Sequence, residues 1–171
     1  MTPGEFREKI LPQGRRLYAL AWRFLNSREE AEDAVQEVMM KLWEERAALD
    51  RRENLAAWCT TVTRNCCIDI LRKRKRVMFG EMDEIAGVTE RGADPAASSD
   101  NYEAAQLISM IVSRMKEPYR SALILRDMEG YSYEETAKAM NSNVNALRTT
   151  LSRARKAVRE EMKKIYDHGT G

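Results

Sequence analysis

Apolar residues recur along this chain at helical spacing almost from end to end. Leu17, Leu20, Ala21 and Phe24 form one stripe; Ala31, Val35, Val38, Met39 and Leu42 form a second. Between them, Ser27-Arg28-Glu29-Glu30 has the S-x-x-E pattern, in which a serine oxygen and a glutamate satisfy the open amides of a helix start reciprocally. Leu55, Cys59, Val62, Cys66 and Ile70 make a third stripe, which runs directly into five consecutive cations, Arg72 to Arg76. Alternation of period two, the mark of a half-buried strand, is found nowhere convincing. The pattern predicts an all-α protein whose first domain, residues 1–76, is a helical bundle.

The periodicity then lapses. Residues 77–103 hold Gly80, Gly87, Gly92, Pro95 and the string Ala96-Ala97-Ser98-Ser99, a composition that predicts a flexible linker. A second helical domain is expected over residues 104–171. Leu107, Ile108, Ile111, Val112 and Met115 give its first helix, Pro118 fits the first turn of the next, and that helix ends at Gly130. Ser132-Tyr133-Glu134-Glu135 repeats the S-x-x-E start for a short helix through about Met140. After the polar break Asn141-Ser142-Asn143, a longer helix carries Val144, Leu147, Leu151, Ala154, Val158, Met162 and Ile165 on one stripe. A short helix, a tight turn and a longer basic helix make a helix-turn-helix, whose second helix enters the DNA major groove. Asn145, Arg148, Thr149 and Ser152 suit base edges; Arg153, Arg155, Lys156 and Arg159, further along, suit phosphates.

Charge sharpens the picture through its distribution. Lys+Arg number 29 and Asp+Glu 27, a net charge of only +2. Yet Arg28 to Glu45 holds seven acids against two bases, while Asn145 to Lys164 holds seven bases against two acids. Segregated patches of opposite sign suit a protein with more than one kind of partner. An acidic helix repels phosphates, so Arg28–Glu45 reads as a protein-binding face. The run Arg72–Arg76 poses a question that charge alone leaves open: a solvated helix end opposing the macrodipole and a nuclear-localisation signal are its plain readings.

No apolar run approaches the roughly 20 residues that span a bilayer, and MTPGEFREKI lacks the apolar core of a signal peptide, so no membrane insertion is expected. Cys59, Cys66 and Cys67 are odd in number and share one predicted helix, which argues for reduced core thiols in a cytoplasmic protein rather than disulfides or zinc. His168, the single histidine, falls in a tail expected to fray. Trp43 and Trp58 lie close to apolar stripes and are expected in the core. No cofactor, metal set or activated nucleophile is indicated, which leaves an enzyme the poorest reading.

Two blocks of sequence make the reading specific. REEAEDAVQEVMMKLW (Arg28–Trp43) resembles region 2.2 of the extracytoplasmic-function group of bacterial RNA polymerase sigma factors, and AWCTTVTRNCCIDILRKRKR (Ala57–Arg76) resembles regions 2.3–2.4. EPYRSALILRDMEGYSYEETAKAM together with LSRARK resembles region 4. The resemblance implies that the protein binds core RNA polymerase (the β′ clamp coiled coil and the β subunit) and directs it to promoter DNA. It implies polymerase contacts at Asp33, Gln36 and Glu37, with Val38, Met39 and Leu42 nearby. It further implies −10 element contacts at Asn65, Asp69 and Arg72, with Lys73, Arg74, Lys75 and Arg76 on phosphates. The preceding loop, Asp50–Asn54 with Arg51, Arg52 and Asn54, would capture a base flipped from the opened strand. Asn145, Arg148, Thr149, Ser152, Arg153, Arg155 and Lys156 would face the −35 element, and an anti-sigma protein is an expected further partner. Asn145, Ala146 and Thr150 depart from the group's Gly-Thr pair and arginine at those places, so no −35 sequence is carried over. The competing reading is a stand-alone helix-turn-helix regulator whose residues 1–76 sense a signal or dimerise.

Overall fold

The computed structural model describes residues 1–79 and 102–169, all of whose regular elements are helical. They fall in two compact units, one within Met1–Arg91 and the other within Gly92–Gly171. The linker expectation for residues 77–103 lies largely outside the described residues. At its edges, helix α5 continues through Phe79 and helix α6 opens at Tyr102, so the basic run lies inside α5 rather than at its end.

The first unit opens with α1 (Pro3–Lys9), which the stripes did not announce because it buries only Phe6. Thr2 and Glu5 cap it reciprocally, and Pro3 starts it. A 3₁₀ turn (Leu11–Gln13) leads to α2 (Gly14–Leu25), which stops where Asn26 turns left-handed at φ 52°. Helix α3 (Arg28–Glu44), a single turn α4 (Arg46–Leu49) and the long α5 (Leu55–Phe79) follow. Helices α2, α3 and α5 each pack on the other two. Their stripes meet in a core where Leu17, Leu20, Ala21, Leu42 and Cys59 are fully buried, and Phe6, Ile10 and Leu49 close one end.

Ser27 accepts a hydrogen bond from the Glu30 amide at 3.3 Å, but the carboxylate of Glu30 does not return to the cap. It pairs instead with Arg74 on α5, and Arg74 Nη2 also donates to the Leu25 carbonyl at 3.3 Å. The bridge thus fastens the basic stretch of α5 to the corner between α2 and α3.

The second unit consists of α6 (Tyr102–Ser113), α7 (Tyr119–Ala122), which continues as a π-helical turn (Leu123–Met128), α8 (Tyr133–Ala139) and α9 (Val144–Gly169). Pro118 sits at the N-cap of α7, and the π turn ends before Gly130, whose φ of 74° reverses the chain. The Ser132–Glu135 box forms in both directions. Asn141 turns left-handed at φ 53°, and Asn143 Oδ1 accepts from the Ala146 amide at 2.8 Å to cap α9. Leu147, Leu151 and Ala154 are buried, but from Arg159 to His168 α9 is exposed except at Met162, so the apolar stripe expected through Ile165 packs only in its first half. His168, expected in a frayed tail, lies within the last turn of α9.

Candidate protein- and nucleic-acid-binding surfaces

On α3 the outward line is Asp33, Gln36, Glu37, Met40 and Glu44, all exposed and spaced as one helix face. Val38 and Leu42 do not belong to it. They are 1% and 0% exposed, because their places on the helix turn them into the core, so neither side chain is available to a docking partner. Met39 is half-buried against the same cluster. Met40, 65% exposed, joins this line although the sequence reading did not include it; an apolar side chain just off the stripe was its signal. Leu42→Ala is expected to lower unfolding stability by about 2–5 kcal/mol, read as a denaturant-midpoint shift. An unchanged midpoint would return Leu42 to the surface.

Trp43 also departs from expectation. It is 37% exposed, with Phe6 edge-on at 5.1 Å and the Arg46 guanidinium 4.1 Å over its ring. Trp58 packs against the core cluster as expected, under the Arg52 guanidinium at 3.6 Å.

On α5, Asn65, Asp69, Arg72 and Arg76 form an exposed line, with Lys73 beside it. Between this line and α3 runs a groove of about 140 Å³, lined among others by Glu37, Lys41, Asn65, Cys66, Asp69 and Lys73. Residues from the two candidate surfaces therefore share one cleft. Within it the Cys66 thiol donates to Glu37 Oε2 at 3.7 Å. Burial, then the Glu37 charge, pushes that thiol up to about 11; burial likewise lifts Cys59 to about 11 and raises Cys67 further. All three cysteines are free and stay protonated at neutral pH, the state of packing residues rather than of reactive ones.

The loop before α5 presents Arg51, Arg52 and Asn54 at the surface. Asn54 Oδ1 accepts from the Ala57 amide at 3.0 Å, so this residue also caps α5. Behind the loop, Arg16 donates to the Ala56 carbonyl and to Thr60 Oγ1, both at 2.8 Å, tying α2 to the first turn of α5. Nothing in the apolar pattern pointed to Arg16. Of the cations Arg72–Arg76, Arg74 is occupied with Glu30 and Leu25, whereas Arg72, Lys73, Lys75 and Arg76 are exposed. The Arg72–Asp69 pair at 3.9 Å is open to water and weak.

In the second unit, α9 exposes Asn145, Arg148, Thr149, Ser152, Arg153 and Lys156, six of the seven expected there. The seventh, Arg155, is half-buried and forks onto Asp127 through Nε at 2.8 Å and Nη2 at 2.7 Å. Tyr133, the first residue of α8, lies close by. The Arg126 and Arg148 guanidinium groups sit over its ring at 4.6 and 5.6 Å. Hydrogen bonds from Arg126, then Arg155, hold its phenol below the usual value. Among the described residues, no group of three or more His, Cys, Asp or Glu side chains is placed to hold a metal ion, and no helix is long and apolar enough to cross a membrane.

Two helical units, one with an acidic and a cationic face and one with a basic helix-turn-helix, define a DNA-binding class. Known proteins narrow it. Residues 12–77 match the family model Sigma-70 region 2, and residues 105–158 match Sigma-70, region 4. SigW of Bacillus subtilis, an ECF RNA polymerase sigma factor, is 23% identical over 159 residues, covering 88% of this chain and 84% of that protein. SigG of Mycobacterium tuberculosis, also an ECF sigma factor, is 27% identical across 89% of this chain, which spans about half (47%) of that longer relative. The sigma factor RpoE of Bartonella quintana, solved with the anti-sigma factor NepR, superposes with a TM-score of 0.73. It is 26% identical, and the match covers 93% of this chain and 97% of that one. CnrH, solved in complex with the cytosolic domain of CnrY, shares the fold at a TM-score of 0.69 and 19% identity, over 95% of this chain and 90% of that one. The chain belongs to the extracytoplasmic-function group of sigma-70-type factors.

Proposed function

We propose that this protein binds core RNA polymerase through the outer face of α3 and directs it to promoters, without catalysis of its own, in the cytoplasm. Residues 1–76 act as the polymerase- and −10-binding domain and residues 104–171 as the −35-binding domain. Asp33, Gln36, Glu37 and Met40 meet the polymerase. Asn65, Asp69, Arg72, Lys73 and Arg76, with Arg51 and Arg52 of the preceding loop, hold the opened strand at the −10 element. Asn145, Arg148, Thr149, Ser152, Arg153 and Lys156 face the −35 duplex.

The single observation that carries this reading is that the exposed line of α3 (Asp33, Gln36, Glu37) and the exposed line of α5, which ends in the cations Arg72, Lys73 and Arg76, adjoin across one cleft to which Glu37 and Lys73 both contribute. A regulator that only binds duplex DNA has no use for a protein-binding acidic face beside a strand-gripping cationic one. The RpoE–NepR complex supports an anti-sigma protein as a further partner. Permanganate footprinting on genomic promoter fragments tests strand opening. Thymines at the −10 element should become reactive only when chain and core polymerase are both present, and equal reactivity without the chain refutes the reading.

A further inference from the structure

Arg155 stands on α9 one and two turns beyond the base-facing residues Ser152 and Arg148, yet its guanidinium is taken up by a carboxylate of the same unit. At 100° per residue it falls on the flank of the helix, between the outward line and the buried line of Leu147, Leu151 and Ala154. Both ends of its guanidinium fork are filled by one carboxylate, Asp127, 28 residues earlier in the chain. A planar fork matched to a carboxylate fixes orientation as well as distance, which a lysine in the same place would not do. Asp127 belongs to the π-helical turn, so the pair ties the recognition helix to the segment immediately before α8.

Tyr133 completes the junction. Arg126 comes from the π turn, Arg148 and Arg155 from α9, and all three converge on this residue at the start of α8. Three guanidinium groups around one phenol repel each other; the Asp127 carboxylate offsets that repulsion at the point where α9 meets the turn. Without it, Arg155 would keep only the Tyr133 phenol, a neutral and weaker acceptor, and a DNA phosphate would compete for its charge.

We propose that Asp127 and Arg155 are a positioning pair: the fork sets the angle of α9 against the helix-turn-helix and withholds Arg155 from the phosphate backbone, so that binding stays dependent on base contacts. The proposal rests on the −35 reading above. It gives the unit a built-in limit on sequence-independent affinity, because every extra phosphate contact strengthens binding to all DNA alike.

The test measures holoenzyme binding to a promoter fragment and to the same fragment with its upstream element scrambled, as a function of salt. Thermal unfolding of each variant is followed alongside to establish that it is folded. Asp127→Asn keeps the side-chain shape and frees Arg155. It is expected to steepen the slope of log K against log salt by about 0.9, one added phosphate contact, and to reduce the promoter preference. Arg155→Ala is expected to leave the slope unchanged while lowering the promoter preference about tenfold, the worth of one misplaced base-edge pair. Asp127→Glu, which retains the charge, should hold both quantities near wild type. A slope made shallower by about 0.9 in Arg155→Ala, with Asp127→Asn unchanged, would identify Arg155 as an ordinary phosphate ligand and overturn the proposal. A wild-type holoenzyme that does not distinguish the two fragments overturns the −35 reading itself, and the pair's role with it.

Discussion

Replacing Asp33, Gln36 and Glu37 together by alanine weakens binding to core RNA polymerase by about a thousandfold, roughly 4 kcal/mol, while the protein stays folded. The two halves of this expectation have separate causes. All three side chains are exposed on one face of α3, so truncation opens no cavity, and exposed substitutions of this kind usually shift stability by less than about 0.5 kcal/mol each. Their worth lies in what they present: two carboxylates and an amide on a helix whose acidity makes DNA an unsuitable partner. Met40 adds an exposed apolar side chain to the same line. Titration of labelled chain with core enzyme gives the affinity, and circular dichroism gives the unfolding midpoint. Wild-type affinity in the triple variant would move the docking surface elsewhere; a collapsed midpoint would show that the face has a structural task.

The second large effect concerns α5. Arg72, Lys73 and Arg76 changed together to alanine should make the salt dependence of promoter-complex formation shallower by about 2 to 2.7 in log–log slope, at roughly 0.7 per single-strand and 0.9 per duplex phosphate. Between 50 and 200 mM salt, the wild type should therefore lose about 20- to 40-fold more affinity than the variant. Arg74 is left out deliberately. Its guanidinium is taken up by Glu30 and the Leu25 carbonyl, so removing it loosens the attachment of α5 to the α2–α3 corner rather than subtracting a phosphate contact. An unchanged slope in the triple variant would show that the exposed cations of α5 do not touch DNA.

The bundle was legible because its stripes are long and uninterrupted. Leu17 to Phe24 and Ala31 to Leu42 each announce a buried face found where the period places it; on α5 only Cys59 and Val62 of the expected stripe are buried, and further along the core takes Thr63, Cys67 and Ile68 while Cys66 and Ile70 border the cleft. The same period already set Val38 and Leu42 on the core side of α3; the family likeness alone drew them toward the docking face, and burial decides for the core. Helix α1 stayed hidden because seven residues with one buried side chain give no period to read. Caps were half legible. The Ser132 box formed, while at Ser27 a partner 44 positions away took the glutamate. That difference shows where local grammar stops. Arg74 with Glu30, Arg155 with Asp127 and Arg16 with Thr60 join residues far apart in sequence, and only packing reveals which cations are spent inside the fold and which face outward.

Two of the cations expected to grip DNA were thus withdrawn by geometry rather than by charge. Arg74 and Arg155 brace helices, whereas Arg52 lies over the Trp58 ring and stays exposed on the loop before α5. The outward residues that remain lie on the loop before α5, on α5 and on α9; the exposed cations of α5 stand beyond Ile68, the last buried residue before them, and are steadied by the Arg74 bridge.

Run-off transcription on linear genomic fragments, with purified core polymerase and with or without this chain, puts the assignment to its most direct trial. Discrete transcripts that arise only when the chain is added, and that vanish with the Asp33/Gln36/Glu37 variant, are the expected outcome. An identical transcript profile from core polymerase alone would show that the protein does not select promoters.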